Sequence, residues 1–457
     1  MKKLVALLLC LMMVVPATLA SAETAEGKVL NIWCWNDEFQ SRFNAYYPEV
    51  KEIAEDKSTT TLNDGTIVKW TINPNEGNNY QNKLDEALRA QESAAADDKI
   101  DIFLIEADYA LKYVDSPYTL DVKADIGLTD EDLGGQYKYT QEIATSADGK
   151  LKAVTWQATP GLFAYRRSIA KDVLGTDDPD AVQEALADWD KFNAVAEQAA
   201  AKGYYMLSGY DDAYRTFSNN VSAPWVADDG ETVVVDANLM KWVDQTKLYT
   251  DKGYNHKSSL WNATWAADQG PTGKVFGFFY STWGINFTLL GNSLATPVAE
   301  GGKEEVGNGI YGDYAVCEGP QSYYWGGTWI CAATGTDNAE TIKDVMTKLT
   351  CDKAIDKQIT LDTQDYTNNI EAMNEIANSD YQSAFLGGQN HIALFAKSAE
   401  KIDMSNAGPY DQGCNEQIQN AFRDYFDGTV DIDGAKKNFE TAIMELYPEL
   451  TEVVWPE

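Results

Sequence analysis

The chain has 457 residues, and its 71 acidic residues against 36 lysines and arginines give a formal net charge of −35. A surface this negative repels phosphate backbones and anionic lipids, so the charge disfavours nucleic acids and membrane surfaces as partners. The length exceeds what one compact core usually organises, which predicts two or more domains.

The first 22 residues have the pattern of a secretory signal peptide. Two lysines precede an apolar run at 4–15, and the small residues ASA at 20–22 match a cleavage site. We expect cleavage near Ala22 and a mature protein in the cell envelope, either periplasmic or secreted.

The N-terminal part of the chain alternates predicted strands and helices. Segments 28–34 and 66–72 are rich in β-branched and aromatic residues, and the apolar run at 100–108 is typical of a strand buried on both faces of a parallel sheet. Helical periodicity marks 38–55 and the segment that follows the asparagine pair at 78–79, which can supply an N-cap. This order predicts an α/β unit whose ligand-facing loops follow the carboxyl ends of its strands.

A second set of elements begins near residue 150. Its predicted strands lie near Trp156, at 162–165 and at 274–280, and its predicted helices lie at 189–202 and 237–252. The chain from residue 338 to the end has mostly helical periodicity. Because the sequence contains no internal repeat and no low-complexity linker, we expect two lobes that the chain crosses more than once.

Two motif matches have the wrong context for the function they suggest. GNGIYG at 307–312 satisfies the dinucleotide pattern GxGxxG, but it follows a polar stretch and not a buried strand, so we expect a turn. The segment 429–440 has calcium-loop spacing but lacks several oxygen ligands, so we expect it to open a helix. With only two histidines and no catalytic signature, the sequence predicts no metal, no cofactor and no catalytic residue.

The cysteines after the predicted signal peptide are widely spaced and form no CxxC pair. Their number is odd, and a chain of this length needs no disulfide bond to fold, so we expect buried free thiols. They are Cys34, Cys317, Cys331, Cys351 and Cys414.

The positions of the aromatic residues are the most informative pattern. Most of them lie at predicted strand ends, beside carboxylates or amides. A sugar ring packs its C–H face on an aromatic ring, while carboxylates and amides bind its hydroxyls, so the pattern predicts a carbohydrate site. For any single tryptophan a core position is an equal alternative. The candidate ligand-binding residues are Trp35, Asn36, Asp37, Glu38, Asn75, Glu76, Glu106, Asp108, Trp156, Tyr210, Asp211, Asp212, Trp225, Trp261, Trp265, Tyr280, Trp283, Trp325, Gly326, Gly327 and Trp329.

The segment YYWGGTWIC sets two glycines between two of these tryptophans. Gly326 and Gly327 would let the backbone bend and approach a ligand, with Trp325 or Trp329 as a stacking face. The alternative is a glycine bend between two core tryptophans.

The chain resembles the extracellular solute-binding proteins of carbohydrate ABC importers, the family of maltose-binding protein (solute-binding family 1). The resemblance extends along the predicted mature chain and depends on the order and spacing of its segments. These segments are LNIWCWNDE, NNYQNKLDEAL before IDIFLIEAD, TWQATPGLFAYRRSIAKDVLGTDDP, ADWDKFNAVAEQAAAKGY, GKVFGFFYSTWGIN and YYWGGTWI.

This resemblance implies an α/β fold of the two-lobe periplasmic-binding-protein type (type II-like), with the ligand cleft between the lobes. Crossings between the lobes would lie near 156–165, 278–284 and 322–328. The implied lobes are 23–156 plus 284–323 for the N-terminal lobe and 157–283 plus 324–457 for the C-terminal lobe.

The resemblance also implies a function without catalysis. A monomeric protein would bind a neutral oligosaccharide, close around it, and deliver it to the permease subunits of an ABC importer. No basic cluster is visible in the sequence, which disfavours an anionic sugar. Relatives from Gram-positive bacteria are usually lipoproteins, and the small-residue–cysteine ending of their signals is missing here. The alternatives are a secreted glycoside hydrolase acting on oligosaccharides, which would use the same aromatic and acidic residues, and a peptide- or metal-binding relative on the same fold.

Overall fold

The computed structural model describes residues 27–456, so the predicted signal peptide and its cleavage site lie outside the described residues. Within residues 27–456, no helix is long and apolar enough to cross a membrane. The strands are β1 Val29–Cys34, β2 Val50–Ile53, β3 Thr59–Leu62, β4 Ile67–Ile72, β5 Ile102–Glu106, β6 Ala153–Thr155, β7 Gly161–Arg166, β8 Leu207–Gly209, β9 Thr232–Val234, β10 Asn255–Ser258, β11 Gly277–Ser281, β12 Tyr314–Cys317, β13 Thr328–Ala332 and β14 Glu452–Val454.

The helices are spread along the whole described chain and dominate its last part. They are α1 Glu38–Tyr46, α2 Asn79–Ala90, α3 Ala110–Val114, α4 Asp130–Leu133, α5 Lys138–Ile143, α6 Arg167–Leu174, α7 Pro179–Ala185, α8 Trp189–Ala201, α9 Tyr214–Ser218, α10 Ala237–Lys252, α11 Ala263–Asp268, α12 Thr282–Gly284, α13 Leu290–Ser293, α14 Ala339–Thr350, α15 Lys353–Thr363, α16 Ile370–Ala377, α17 His391–Ala399, α18 Asp411–Phe426 and α19 Ile432–Leu446. A π-helical turn, Ile285–Leu289, connects α12 with α13.

A mixed sheet of seven strands organises the first lobe, in the order β2-β3-β4-β1-β5-β13-β6. β1 pairs in parallel with β4 and β5, while β13 runs antiparallel between β5 and β6. The apolar runs of β1 and β5 are largely buried, as expected for strands covered on both faces. These directions place the carboxyl ends of β1, β5 and β6 at one edge of the sheet, together with the start of β13.

An antiparallel sheet in the order β11-β7-β12 lies at the centre of the second lobe. Phe163 of β7 contacts Phe192 of α8 and Phe279 of β11, with ring centroids 5.1 and 4.9 Å apart, respectively. Helix α17 packs on β7, and α18 packs on α10 and α19. The aromatic residues of β7, β11 and α8 therefore contribute to the core of the second lobe.

Strand pairing corrects the predicted lobe boundaries at two strands. β12 was expected in the N-terminal lobe but pairs with β7 of the three-stranded sheet, and β13 was expected in the C-terminal lobe but pairs with β5 and β6 of the seven-stranded sheet. Both are short and fully buried. Local hydrophobicity does not identify the sheet that such a strand joins.

The crossings between the sheets follow from this pairing. The chain crosses at 156–160 and at 318–327, close to two of the predicted crossings. The crossing expected near 278–284 is wrong, because β11 and β12 belong to the same sheet. The third crossing lies after α15 instead, since α14 packs on β6 and β13 whereas α17 packs on β7.

The helix predicted at 38–55 is too long. Helix α1 ends at Tyr46, and Pro48, which is disfavoured inside a helix, precedes the strands β2 and β3 that the sequence analysis missed. Asn78 is the N-cap residue of α2, but its φ is 60° and its side chain makes no capping hydrogen bond. The helices predicted at 189–202 and 237–252 are confirmed as α8 and α10.

The structure agrees with the expectations for the two motif matches at 307–312 and 429–440. Segment 307–312 forms a turn with positive φ at its three glycines. Asp431 caps α19, accepting a hydrogen bond from the Gly434 N–H at 2.8 Å. The predicted free thiols are confirmed: all five described cysteines are unpaired, and all are buried except Cys351, which is half-buried.

Candidate ligand-binding cavity

A cavity of about 760 Å³ lies between the two sheets, and residues from both lobes line it. This is the volume of a typical small-molecule site. The predicted site residues that line it are Trp35, Asn36, Asp37, Glu38, Glu106, Asp108, Trp261, Trp283, Trp325, Gly326 and Gly327.

Sheet topology explains why residues distant in sequence meet in this cavity. Trp35 directly follows β1, Glu106 is the last residue of β5, and Thr328 is the first residue of β13. Gln157 follows the end of β6 at the same edge. The strand-end rule used on the sequence therefore leads to Trp35 and Glu106 of the cavity lining, whereas it missed Gln157 and Thr328.

Three tryptophans that contact one another form an aromatic wall of the cavity. Trp283 lies next to Trp325 with ring centroids 5.3 Å apart, and its Nε1–H donates to the Trp325 carbonyl at 2.8 Å. Trp261 stacks nearly parallel to Trp283 at 6.1 Å and 13°. Trp325 is 6% exposed, whereas Trp261 is 56% exposed at the mouth of the cavity.

The two glycines beside Trp325 are required by backbone conformation and by close packing. Gly326 has a φ of 74° and Gly327 a φ of 110°, both unfavourable for other residues. A Cβ atom on Gly326 would lie 2.8 Å from Nε1 of Trp283. One on Gly327 would lie 3.0 Å from the ring of Trp329. Gly326 therefore lets the Trp283 indole pack against the backbone, and Gly327 does the same for the Trp329 indole.

An amide shared by two carboxyl groups links three elements at one end of the cavity. Nε2 of Gln157 donates to Glu38 at 3.0 Å and to Asp365 at 2.8 Å. The hydroxyl of Thr282 also donates to Asp365, at 3.0 Å. Burial and the nearby charge of Asp365 raise the pKa of Glu38 to about 7.

A second acidic group surrounds Arg215. Its guanidinium donates to both carboxylate oxygens of Asp108, at 2.7 and 2.6 Å, and lies 5.3 Å from the ring centroid of Trp325. Burial, and then the charge of Asp108, raise the pKa of Glu106 to about 8. Burial also acts to raise the pKa of Asp108, but the Arg215 charge outweighs it and holds that pKa below its usual range.

The cavity contains basic residues that the sequence analysis did not identify. Arg42 and Arg215 both line it, although no basic residue was among the predicted site residues. Each already has an acidic neighbour, because Arg42 lies 3.8 Å from Glu38 and Arg215 pairs with Asp108. The lining also contains Asp37, Glu106 and Asp365, so carboxyl groups outnumber guanidinium groups.

The remaining predicted site residues do not line this cavity. Trp329 is 1% exposed and its indole N–H donates to the Thr140 carbonyl at 2.9 Å, which makes it a core residue of the first lobe. Trp156 is also buried, against Phe39. The full set outside the lining is Asn75, Glu76, Trp156, Tyr210, Asp211, Asp212, Trp225, Trp265, Tyr280 and Trp329.

Two of these acids have a structural role instead. Asp211 pairs with Arg423 at 2.9 Å and lines a smaller, adjoining cavity of about 110 Å³, which shares Asp108 and Arg215 with the larger one. Asp212 accepts a hydrogen bond from the Trp265 indole at 3.1 Å, and burial raises the pKa of Asp212 to about 7. Asn75 and Glu76 follow β4, which β1 separates from β5, and this explains why they do not reach the cavity.

Most of the missed lining residues are not aromatic and do not directly follow a predicted strand, and Phe287 is the aromatic exception. Gln157 could have been found, since it is the neighbour of Trp156 and successive strand side chains point to opposite faces. Asp365 follows a helix and had no comparable signal. The missed residues are Ser41, Arg42, Gln157, Arg215, Leu260, Asn286, Phe287, Thr328, Thr363 and Asp365.

Metal binding has no support among the described residues. In residues 27–456, no group of three or more His, Cys, Asp or Glu side chains is placed to hold a metal ion. The lining combines this aromatic wall with carboxyl and amide groups, which suits a ligand with both an apolar face and hydroxyl groups.

A family model of bacterial extracellular solute-binding proteins matches residues 57–399 of the chain. A family 1 extracellular solute-binding protein has a similar structure, with a TM-score of 0.71 and 15% identity over 92% of this chain and 99% of that one. The sequence matches no curated protein.

Two further similar structures contain sugars. The binding protein of an ABC transporter from B. animalis subsp. lactis, in complex with β-1,6-galactobiose, has a TM-score of 0.66 and 16% identity over 93% of this chain and 100% of that one. The galacto-N-biose/lacto-N-biose I-binding protein from Bifidobacterium longum, in complex with lacto-N-biose, has a TM-score of 0.64 and 13% identity over 94% and 100%, respectively. These similarities confirm the predicted two-lobe α/β fold.

Proposed function

The chain belongs to the bacterial extracellular solute-binding proteins, and on this premise we propose that it captures a neutral oligosaccharide in the cavity between its lobes. It then delivers the sugar to the permease subunits of an ABC importer. In this role it acts outside the cytoplasm, as a monomer, and without chemical change to the ligand.

The observation that carries the proposal is the pairing of an aromatic wall with hydrogen-bonding groups across one cavity. Trp283 and the more exposed Trp261 offer ring surfaces, while Glu38 and Asp365 offer carboxyl oxygens and Gln157 offers its amide oxygen. A sugar ring has C–H faces that pack on indole and hydroxyls that bind carboxyl and amide groups. The sugar complexes of the two bifidobacterial proteins add support.

The charges of the cavity favour a neutral ligand. Both arginines of the lining have acidic neighbours, so a uronate or a phosphosugar would have to compete with those carboxylates. The excess carboxyl groups add repulsion for an anion. Hydroxyl groups, in contrast, bind carboxylates without a change in net charge.

Thermal unfolding across a panel of compounds tests the proposal. The panel contains neutral oligosaccharides, their monosaccharides, uronic acids, amino acids, short peptides and divalent metals. We expect at least one neutral oligosaccharide to raise Tm progressively as the logarithm of its concentration increases, because a ligand of the native state stabilises it by mass action. A shift with amino acids, peptides or metals and with no sugar would contradict the proposal.

A glycoside hydrolase is the second candidate, and one observation favours it. Glu38 and Glu106 both face the cavity with pKa values raised to about 7 and about 8, which is the range of general acids in catalysis. Prolonged incubation with the stabilising oligosaccharide separates the two functions. A binding protein returns the sugar intact, whereas a hydrolase yields shorter products that disappear in the Glu106→Gln variant.

A further inference from the structure

Trp261 has a backbone conformation that tryptophan rarely adopts. Its φ of 69° lies in the left-handed region, where a Cβ atom is unfavourable. Its side chain is 56% exposed, so burial of the ring does not offset this strain. Strained residues that persist in a fold often mark functional positions, and Trp261 lies at the mouth of the cavity.

Buried acidic residues hold the segment that carries this tryptophan. Arg423, which pairs with Asp211 at 2.9 Å, also donates to the hydroxyl of Ser259, two residues before Trp261. On the other side of the segment, the Trp265 indole donates to the carboxylate of Asp212 at 3.1 Å. The segment is therefore fixed at both ends while the Trp261 ring remains exposed.

A second exposed ring contacts Trp283, the tryptophan on which Trp261 stacks. Phe287 is 79% exposed on the π-helical turn and its ring centroid lies 6.4 Å from that of Trp283. The aromatic surface thus extends outwards from Trp325, which is 6% exposed, through Trp283 to Trp261 and Phe287. The Trp261 and Phe287 rings are called the outer pair below.

We propose that the outer pair forms a second sugar subsite that makes the protein prefer longer oligosaccharides to short ones. This subsite, which rests on the proposed function, lies outside an inner subsite made by Trp283, Glu38 and Asp365. One sugar ring bound at the inner subsite leaves the exposed faces of the outer pair in water. A further ring along the chain covers these faces, and the burial of their apolar surface favours the longer ligand.

The Trp261→Gly variant tests the subsite. Glycine adopts the φ of this position without strain, so we expect the Tm of the ligand-free variant to equal or exceed that of the wild type. The affinity for the longest sugar that the wild type binds should fall about tenfold, as expected for the loss of one aromatic contact. The affinity for the shortest sugar bound should change much less. Isothermal titration calorimetry with both sugars measures this difference, and Phe287→Ala should act in the same direction.

Two control variants separate the outer pair from general effects. Trp283→Ala, at the inner subsite, should weaken short and long sugars alike. Trp455→Ala, whose ring lies outside the cavity lining and packs on Phe422 and Phe439, should weaken neither.

The outcomes also separate this subsite from the proposed function itself. If Trp261→Gly and Phe287→Ala leave the affinities unchanged, or weaken short and long sugars by the same factor, the outer subsite is wrong and the proposed function stands. If the wild type binds only monosaccharides, the preference for longer chains is wrong. If it binds no sugar, both proposals are wrong.

Discussion

At the scale of single residues, Gly326 shows how the absence of a side chain shapes the cavity. The Trp283 indole lies against this glycine and donates a hydrogen bond to the carbonyl of Trp325. The positions of both tryptophans therefore depend on the backbone bend at Gly326. The φ of 74° alone would disfavour any other residue. The close approach of the indole adds a steric reason that is independent of φ.

We predict that Gly326→Ala lowers both stability and ligand affinity. The new Cβ atom, 2.8 Å from Nε1 of Trp283, has to displace that ring in addition to straining the backbone. A loss of about 1–3 kcal/mol in the free energy of unfolding is expected. Gly428→Ala is the matched control, since Gly428 has a φ of 76° with no atom within 4 Å of the added Cβ. Equal losses in the two variants, measured by urea denaturation, would show that the indole contact is unimportant.

Trp329, two residues beyond the glycine pair, has a different role from Trp325. Its ring lies in the core of the first lobe and its N–H is bonded to the Thr140 carbonyl. We predict that Trp329→Ala costs about 3–5 kcal/mol of folding free energy, as large aromatic truncations do. Sugar affinity at a temperature where the variant is folded should remain within about twofold of the wild type, a difference of less than about 0.5 kcal/mol. A stable variant that has lost affinity would restore Trp329 to the ligand site.

At the scale of elements, carboxyl groups from several strand ends and helices share the cavity. Glu38 begins α1, Asp365 follows α15, and Gln157, after β6, donates to both. Glu106 ends β5 and receives the Asp108 N–H at 2.8 Å. Because the fold buries these groups and brings their like charges close together, the pKa values of Glu38 and Glu106 are raised.

The pH dependence of the free energy of unfolding should reveal this concentration of carboxyl groups. Between the ordinary glutamate pKa of 4.5 and the raised pKa values of about 7 for Glu38 and about 8 for Glu106, the native state holds protons that the unfolded chain releases. The contribution of these groups to stability is therefore lost as pH rises through this window. We predict that the free energy of unfolding of the ligand-free protein falls less from about pH 5 to about pH 8, roughly the span of that window, in Glu106→Gln than in the wild type.

Urea denaturation at several pH values measures this slope. The control is Glu52→Gln on the edge strand β2, an exposed residue outside the cavity lining, which should leave the slope as in the wild type. A wild-type slope retained in Glu106→Gln would show that folding does not raise the pKa of this carboxyl group.

The sequence predicted individual helices and strands better than it predicted which strands pair with one another. The periodicity of α8 and α10 and the apolar run of β5 are local signals, and the structure confirms these elements. The sheets that β12 and β13 join depend on pairing with distant strands, which no local pattern encodes. The same reason explains the site: Trp35 and Glu106 were found from their strands, whereas Arg215 and Asp365 reach the cavity only through the packing of the lobes.

At the scale of the whole molecule, the segments that connect the two lobes also line the candidate site. The crossings at 156–160 and 318–327 contribute Gln157 and the Trp325–Gly327 turn to the cavity, and the crossing after α15 contributes Asp365. A ligand held by these residues therefore contacts the segments about which the lobes can move. On the proposed function, we expect binding there to favour the arrangement in which both lobes contact the ligand.

Isothermal titration calorimetry of the best oligosaccharide from the thermal panel, with wild type and Trp283→Ala, tests the central claim most directly. We predict one sugar per chain, an affinity about tenfold weaker in Trp283→Ala because a stacking surface is lost, and an unchanged affinity in Trp455→Ala. Wild-type affinity in Trp283→Ala would contradict the account, because it would place the sugar outside the cavity between the lobes.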